Sequence, residues 1–182
     1  MLNTKYIIYN YQAAPLVNNQ RYGSAWFVDN IQFVPNANQE IIALRKSNPL
    51  QTAVVNEEFK DKLNGFTPSH NPNSTIELIE QTSKTCTYKV NALKDELAVF
   101  SEIYYPKYWK VTIDGKEVDN LLRANYILRA MMVPKGEHTI TMEFVPQAWF
   151  NARTISLISS IFIILLIGGL IGYKYYYLPR KK

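Results

Sequence analysis

One cysteine, two histidines and seven glycines in 182 residues leave little room for several kinds of chemistry. Cys86 stands alone, so an intramolecular disulfide is excluded and the fold must rest on packing. No histidine or aspartate constellation accompanies it, and it reads as a buried strand thiol. His70 lies in a polar loop and His138 in a turn, neither with a second ligand at metal-binding spacing, so neither a metal nor a cofactor is expected. There is no glycine-rich phosphate cradle and no G-x-S-x-G element, and no catalytic residue is assigned. Asn73-Ser74-Thr75 fits a glycosylation acceptor only formally and is given no role. The N-terminal MLNTKYIIYNYQ lacks the charged stretch and apolar core of an export signal.

Positive charge on the body of the chain is also scarce. The net charge is +5, but Lys174, Arg180, Lys181 and Lys182 supply four of the positive charges and leave about +1 for residues 1–173. A nucleic-acid binder needs its cations as a patch on the folded domain, so nucleic acid is not an expected partner.

What the chain does have is a long apolar run. Between Arg153 and Lys174 lie twenty residues without a charge, TISLISSIFIILLIGGLIGY. As a helix rising 1.5 Å per residue this run spans about 30 Å, the thickness of a bilayer's hydrocarbon core. Trp149 and Phe150 precede it and Tyr173, Tyr175, Tyr176 and Tyr177 follow, as expected of aromatics at both membrane interfaces. The reading is a single transmembrane helix over 151–177 in contact with the lipid bilayer. Gly168 and Gly172 form a G-x-x-x-G pair against which another helix could pack. The basic tail, 178–182, places the C-terminus in the cytoplasm and residues 1–150 outside. An exported domain without an export signal leaves two readings: a tail-anchored protein whose domain stays in the cytosol, or, as the favoured expectation, the end of a longer parent protein whose upstream transmembrane helices provide the export.

Residues 1–150 read as mainly β. The stretches KYIIY, AWFVDNIQFV, TIELIEQT, TCTYKVNA and LAVFSEIYY are rich in β-branched and aromatic residues, several with strict alternation. Asp114-Gly115 between WKVTI and KEV is a strong hairpin signal. Pro134-Lys135-Gly136-Glu137 predicts a second hairpin between ILRAMMV and HTITMEFV. A short helix is expected within 33–50, over NANQEIIALRK, capped by Asn36 or Asn38. HNPNS, at 70–74, reads as an exposed loop. The whole predicts an antiparallel β-sandwich or jelly-roll-like domain with one or two short helices, followed by the C-terminal transmembrane helix.

The best candidate for recognition is an aromatic and planar-donor group: Tyr104, Tyr105, Tyr108, Trp109, Arg123, Asn125, Tyr126 and Arg129. Flat rings and planar donors suit sugars or phosphate-bearing headgroups. The competing reading is that the rings fill the core while the arginines pair with Asp114, Glu117 or Asp119. On one unbroken strand, Arg123 and Arg129 would share a face.

Residues 97–146 carry a further signal. Tyr104-Tyr105-Pro106, Trp109-Lys110, Asp114-Gly115-Lys116-Glu117-Val118, Arg123-Ala124-Asn125-Tyr126, Leu128-Arg129-Ala130 and Val133-Pro134-Lys135-Gly136-Glu137-His138-Thr139 together resemble the C-terminal region of YfhO-type bacterial membrane proteins. The likeness continues through Phe144, Pro146 and the final helix, and more loosely covers LNTKYII and GSAWFVDN. Where the family shows a Tyr-Pro-Gly-Trp turn, this chain has Pro106-Lys107-Tyr108-Trp109.

The resemblance implies a multi-span protein of the bacterial cytoplasmic membrane, related to glycosyltransferases that use polyprenyl-phosphate-linked sugars. This chain would be its last outer domain and last helix, non-catalytic, with the acidic active site elsewhere. The other open reading is a membrane-anchored, non-enzymatic β-sandwich module that binds protein or glycan.

Overall fold

The computed structural model describes residues 1–63 and 65–177, the last by its backbone alone. The basic tail read at 178–182 lies outside the described residues. The chain divides into two compact units, Met1–Phe144 and Val145–Lys182.

The first unit is two packed sheets and a separate hairpin. The hairpin pairs β1 (Tyr6–Ile7) with β2 (Leu16–Val17). The larger sheet has six strands: β3 (Ala25–Val28), β4 (Asn30–Val34), β5 (Thr52–Asn56), β8 (Glu96–Ile103), β11 (Leu121–Ala124) and β12 (Leu128–Val133). Their spatial order is β3-β8-β12-β11-β5-β4. The other sheet has five: β6 (Thr75–Gln81), β7 (Thr85–Ala92), β9 (Trp109–Ile113), β10 (Lys116–Glu117) and β13 (Gly136–Phe144), ordered β10-β9-β13-β7-β6.

Alternation explains the core between the sheets. In β7 the residues Cys86, Tyr88, Val90 and Ala92 all turn inward. They meet Phe100 of β8, Met131 and Val133 of β12, and Ile140 and Met142 of β13. The Tyr88 and Phe100 rings cross edge-on, 4.9 Å between centroids. Cys86 is buried there, as read from the sequence, and burial raises its thiol pKa. The six-stranded sheet is apolar on its other side as well. Trp26, Val28, Ala53, Val55, Leu97, Val99 and Leu122 form a second cluster there with Leu63, the last residue of a 3₁₀ turn over Glu57–Leu63.

Helix α1 (Ala37–Leu44) connects β4 to β5, which run parallel, a crossover the otherwise antiparallel expectation did not include. Asn36 is its cap, the side chain accepting from the Gln39 N–H at 3.0 Å.

Asp114-Gly115 makes the expected hairpin. Both residues have positive φ, 50° and 77°, which suits the right-handed twist of the strands they join. The Pro134-Lys135 turn does not make one. β12 pairs with β8 and β11, whereas β13 pairs with β7 and β9, so this turn carries the chain from one sheet to the other. The 70–74 loop is also less exposed than expected. The buried Glu96 carboxylate accepts from the Asn71 N–H and bonds His70, while the Ser74 hydroxyl accepts from the Leu93 N–H at 3.0 Å.

His138 and Asp114 join the β9–β10 turn to β13, Nδ1 to Oδ2 at 2.7 Å, and Asp114 Oδ1 also accepts from the Thr139 N–H. The Asp114 bond raises the His138 pKa; the Thr139 amide first, then His138, lower that of Asp114. The histidine's contribution to stability is therefore complete below its ordinary pKa of about 6.5 and is lost as pH rises through the higher folded value. The aspartate's contribution is present above its ordinary value and is lost as pH falls through the lower folded one. Asp114→Asn keeps the turn geometry and an acceptor for Thr139, so NMR titration is expected to show the His138 pKa falling toward its ordinary value. An unchanged titration would contradict the coupling.

The second unit is α2 (Gln147–Tyr177), apolar on all sides and long enough to cross a membrane. It begins four residues before the expected 151. Three of its hydroxyls bond within the helix: Thr154, Ser159 and Ser160 donate to the carbonyls of Phe150, Ile155 and Ser156 at 2.8 to 3.0 Å. Among the described residues nothing lies within 4 Å of a Cβ built at Gly168 or Gly172.

Candidate functional site

The eight residues singled out for recognition gather at one end of the two sheets, where β8, β11 and β13 finish and β9 and β12 begin, but they divide into three kinds. Arg129 is interior, 3% exposed and on the face of β12 that meets the five-stranded sheet. Its guanidinium lies 3.9 Å from the centre of the Trp109 ring, and its Nε donates to the Ile103 carbonyl at 3.0 Å. Burial lowers its pKa, with Glu102 the leading opposing influence. A planar cation on an indole face, out of water, is a strong interaction and one lysine cannot imitate.

Arg123 lies directly opposite Arg129 across the β11–β12 hairpin, so the two share a face as cross-strand partners rather than as positions on one strand. The chain reverses between them at Asn125 and Tyr126, with φ of 50° and 74°. Arg123 Nη1 meets Glu40 Oε2 at 2.8 Å and donates to the Tyr126 carbonyl at 2.7 Å; Nη2 reaches Glu58 at 3.4 Å. The expected partners are engaged elsewhere: Asp114 with His138, Glu117 with Lys110 and Asp119 with Lys62. Glu40 is fully buried; burial raises its pKa and Arg123 opposes the rise. Its distance along the chain, 83 residues, hid it from sequence reading.

Asn125 is a strand lock. Its N–H donates to the Val54 carbonyl at 2.7 Å, and its side-chain oxygen accepts from the Val54 N–H at 2.9 Å, stitching β5 to the hairpin tip. Tyr104 packs against the inter-sheet core, edge-on to Phe59 at 5.7 Å, and its N–H donates to the Ile127 carbonyl. These bonds hold the 104–108 loop against the hairpin tip.

The remaining rings face outward. Tyr105 is 49% and Tyr126 39% exposed, with Lys107 exposed between the loop tyrosines. Tyr108 is partly exposed, edge-on to Phe144 at 6.2 Å, with the Lys107 ammonium 5.1 Å from its ring. Tyr108 has φ of 70°, a left-handed conformation costly for a large side chain. The backbone strain therefore falls on a residue that puts a phenol at the rim. Beside Asn125 and Tyr126 a cavity of about 280 Å³ opens between Leu2, Ile41, Leu44 and Ile127. The arrangement offers flat faces and a cation to a ligand, held by a structural layer beneath.

A family model described as bacterial membrane protein YfhO matches residues 39–156. The match takes in most of α1, both sheets from β5 onward, and the first turns of α2. No curated protein and no solved structure matches significantly.

Proposed function

The chain belongs to the YfhO family of bacterial membrane proteins, and from that premise we propose that it is the C-terminal outer domain and last transmembrane helix of a larger protein that transfers sugar from a polyprenyl-phosphate-linked donor to a cell-envelope polymer. In this reading the parent lies in the cytoplasmic membrane with the β domain outside and the C-terminus inside. Upstream helices pack on the parent's last helix, and the Gly168 and Gly172 face is where one would approach most closely. The domain itself is non-catalytic and holds the acceptor glycan.

The observation that carries the acceptor role is the rim of Tyr105, Tyr108 and Tyr126, three phenols at one end of the sandwich beside the buried Arg129 and the half-buried Trp109 it stacks on. Sugar rings stack on such faces through their C–H surfaces, while phenol hydroxyls bond their oxygens. The test is binding of solubilised cell-envelope polysaccharide to the full chain in nanodiscs. Tyr105→Ala with Tyr126→Ala, both at exposed positions, is expected to weaken binding at least tenfold without lowering the melting temperature. Unchanged binding would remove the acceptor role from this rim.

A further inference from the structure

We propose that the N-terminal β1–β2 hairpin is a second membrane contact, resting at interfacial depth on an anionic phospholipid surface. Residues 1–3 are fastened to the sandwich: the Ser101 hydroxyl donates to the Met1 carbonyl at 2.7 Å, and the Asn3 amide donates to the Ser24 hydroxyl. Residues 4–20 then leave it. Their pairing is internal, Tyr6 opposite Val17 and Ile7 opposite Leu16, closed by Asn18 bonds to the Lys5 and Thr4 carbonyls. None of their side chains belongs to the three core clusters.

The composition of this hairpin is wrong for water. Tyr6 and Val17 share one face and Ile7 and Leu16 the other, each about half exposed. Beyond them Ile8 is 72% exposed and Tyr9 64%. A hairpin lying on a protein surface needs only one apolar face, with the other polar. Here both faces are apolar, which suits a hairpin surrounded by an apolar or half-apolar medium. An isolated two-stranded hairpin in water is marginal at best, so this one needs a covering phase to persist.

Two features choose the lipid interface. Tyr6, Tyr9 and Tyr11 are three of its seven large exposed side chains, with Tyr11 at the tip 89% exposed, and tyrosine favours the headgroup level, where its ring is half buried and its hydroxyl stays wet. The first 28 residues contain Lys5 and Arg21 and no acid, which complements an anionic surface. The unpaired backbone groups of an open hairpin cannot enter the hydrocarbon, so its depth is limited to the interface. The bilayer is already the medium of this protein through its membrane-spanning helix, and the proposal stands independently of any glycan transfer.

The test is a nitroxide at Ile8→Cys in the full chain carrying Cys86→Ala, reconstituted in vesicles of phosphatidylethanolamine and phosphatidylglycerol. A label at Asn73→Cys, on the exposed part of the 70–74 loop, is the aqueous reference. The ratio of collisions with oxygen to collisions with a nickel chelate is expected to be several-fold higher at position 8 than at 73. A ratio equal to that at 73 would place the hairpin in water, and a loss of both kinds of collision would mean that protein covers it; either overturns the proposal. Replacing phosphatidylglycerol by phosphatidylcholine is expected to reduce the contrast, and an unaltered contrast would overturn the role of lipid charge.

Discussion

Arg123→Met is expected to destabilise the β domain by about 3 kcal/mol, because it leaves Glu40 buried without its cation. Glu40 has no exposed surface and Arg123 only 20% of its side chain, so water replaces little of the lost interaction. One Glu40 oxygen already lacks a hydrogen-bond partner among the described residues, and the substitution would orphan the other. The loss should depend on pH in a defined direction. With Arg123 gone, burial and then the Glu58 charge raise the Glu40 pKa unopposed by that cation, so the penalty grows as pH rises from the ordinary glutamate value of about 4.3 to the raised one. Adding Glu40→Gln removes the buried charge and is expected to recover part of the stability. Denaturant unfolding of the full chain in nanodiscs measures both, and strictly additive effects would show that the pair is not coupled.

Arg129→Ala is expected to cost a similar amount for a different reason. It removes a desolvated cation–π contact worth about 2 kcal/mol, takes a donor from the Ile103 carbonyl, and leaves a void between the sheets. Because no acidic side chain among the described residues forms a salt bridge with Arg129, replacing it by an apolar residue does not strand a buried anion. Arg129→Met should therefore lose much less than Arg129→Ala, since its side chain refills the space beside Trp109 and Met142. Equal losses would mean that the charge matters more than the volume. The two arginines face each other across one hairpin, yet the first is an ionic problem and the second a packing one.

Local chemistry made a good part of this fold legible. Asp114-Gly115 announced its hairpin because only a few residues tolerate two successive positive φ angles, and alternation in TCTYKVNA reproduces the burial of β7 residue by residue. The final helix was legible from length and lack of charge. β5 went unread because Ala53, Val54 and Val55 form an unbroken apolar run, the pattern of a strand buried on both faces, where alternation disappears.

The Pro134-Lys135 turn was recognised as a reversal, but turn chemistry fixes the direction of the chain and not the sheet it joins. At the site, the residue types were legible and their partners were not. Arg123 finds Glu40 and Glu58, and Asn125 finds Val54, across 83, 65 and 71 residues of chain, contacts that exist only once β5 and α1 have docked. The N-terminal stretch was read only as a strand without an export signal; the apolar character of both its faces became visible from the β1–β2 register.

The side of the membrane on which the chain ends decides most directly whether the β domain can meet an envelope glycan. A reporter active only in the cytoplasm, fused after Lys182 in the intact protein, is expected to be active, which places the domain that precedes α2 outside. An inactive reporter at that position, with activity from a counterpart that works only outside, would put the domain in the cytosol and remove the envelope-glycan function.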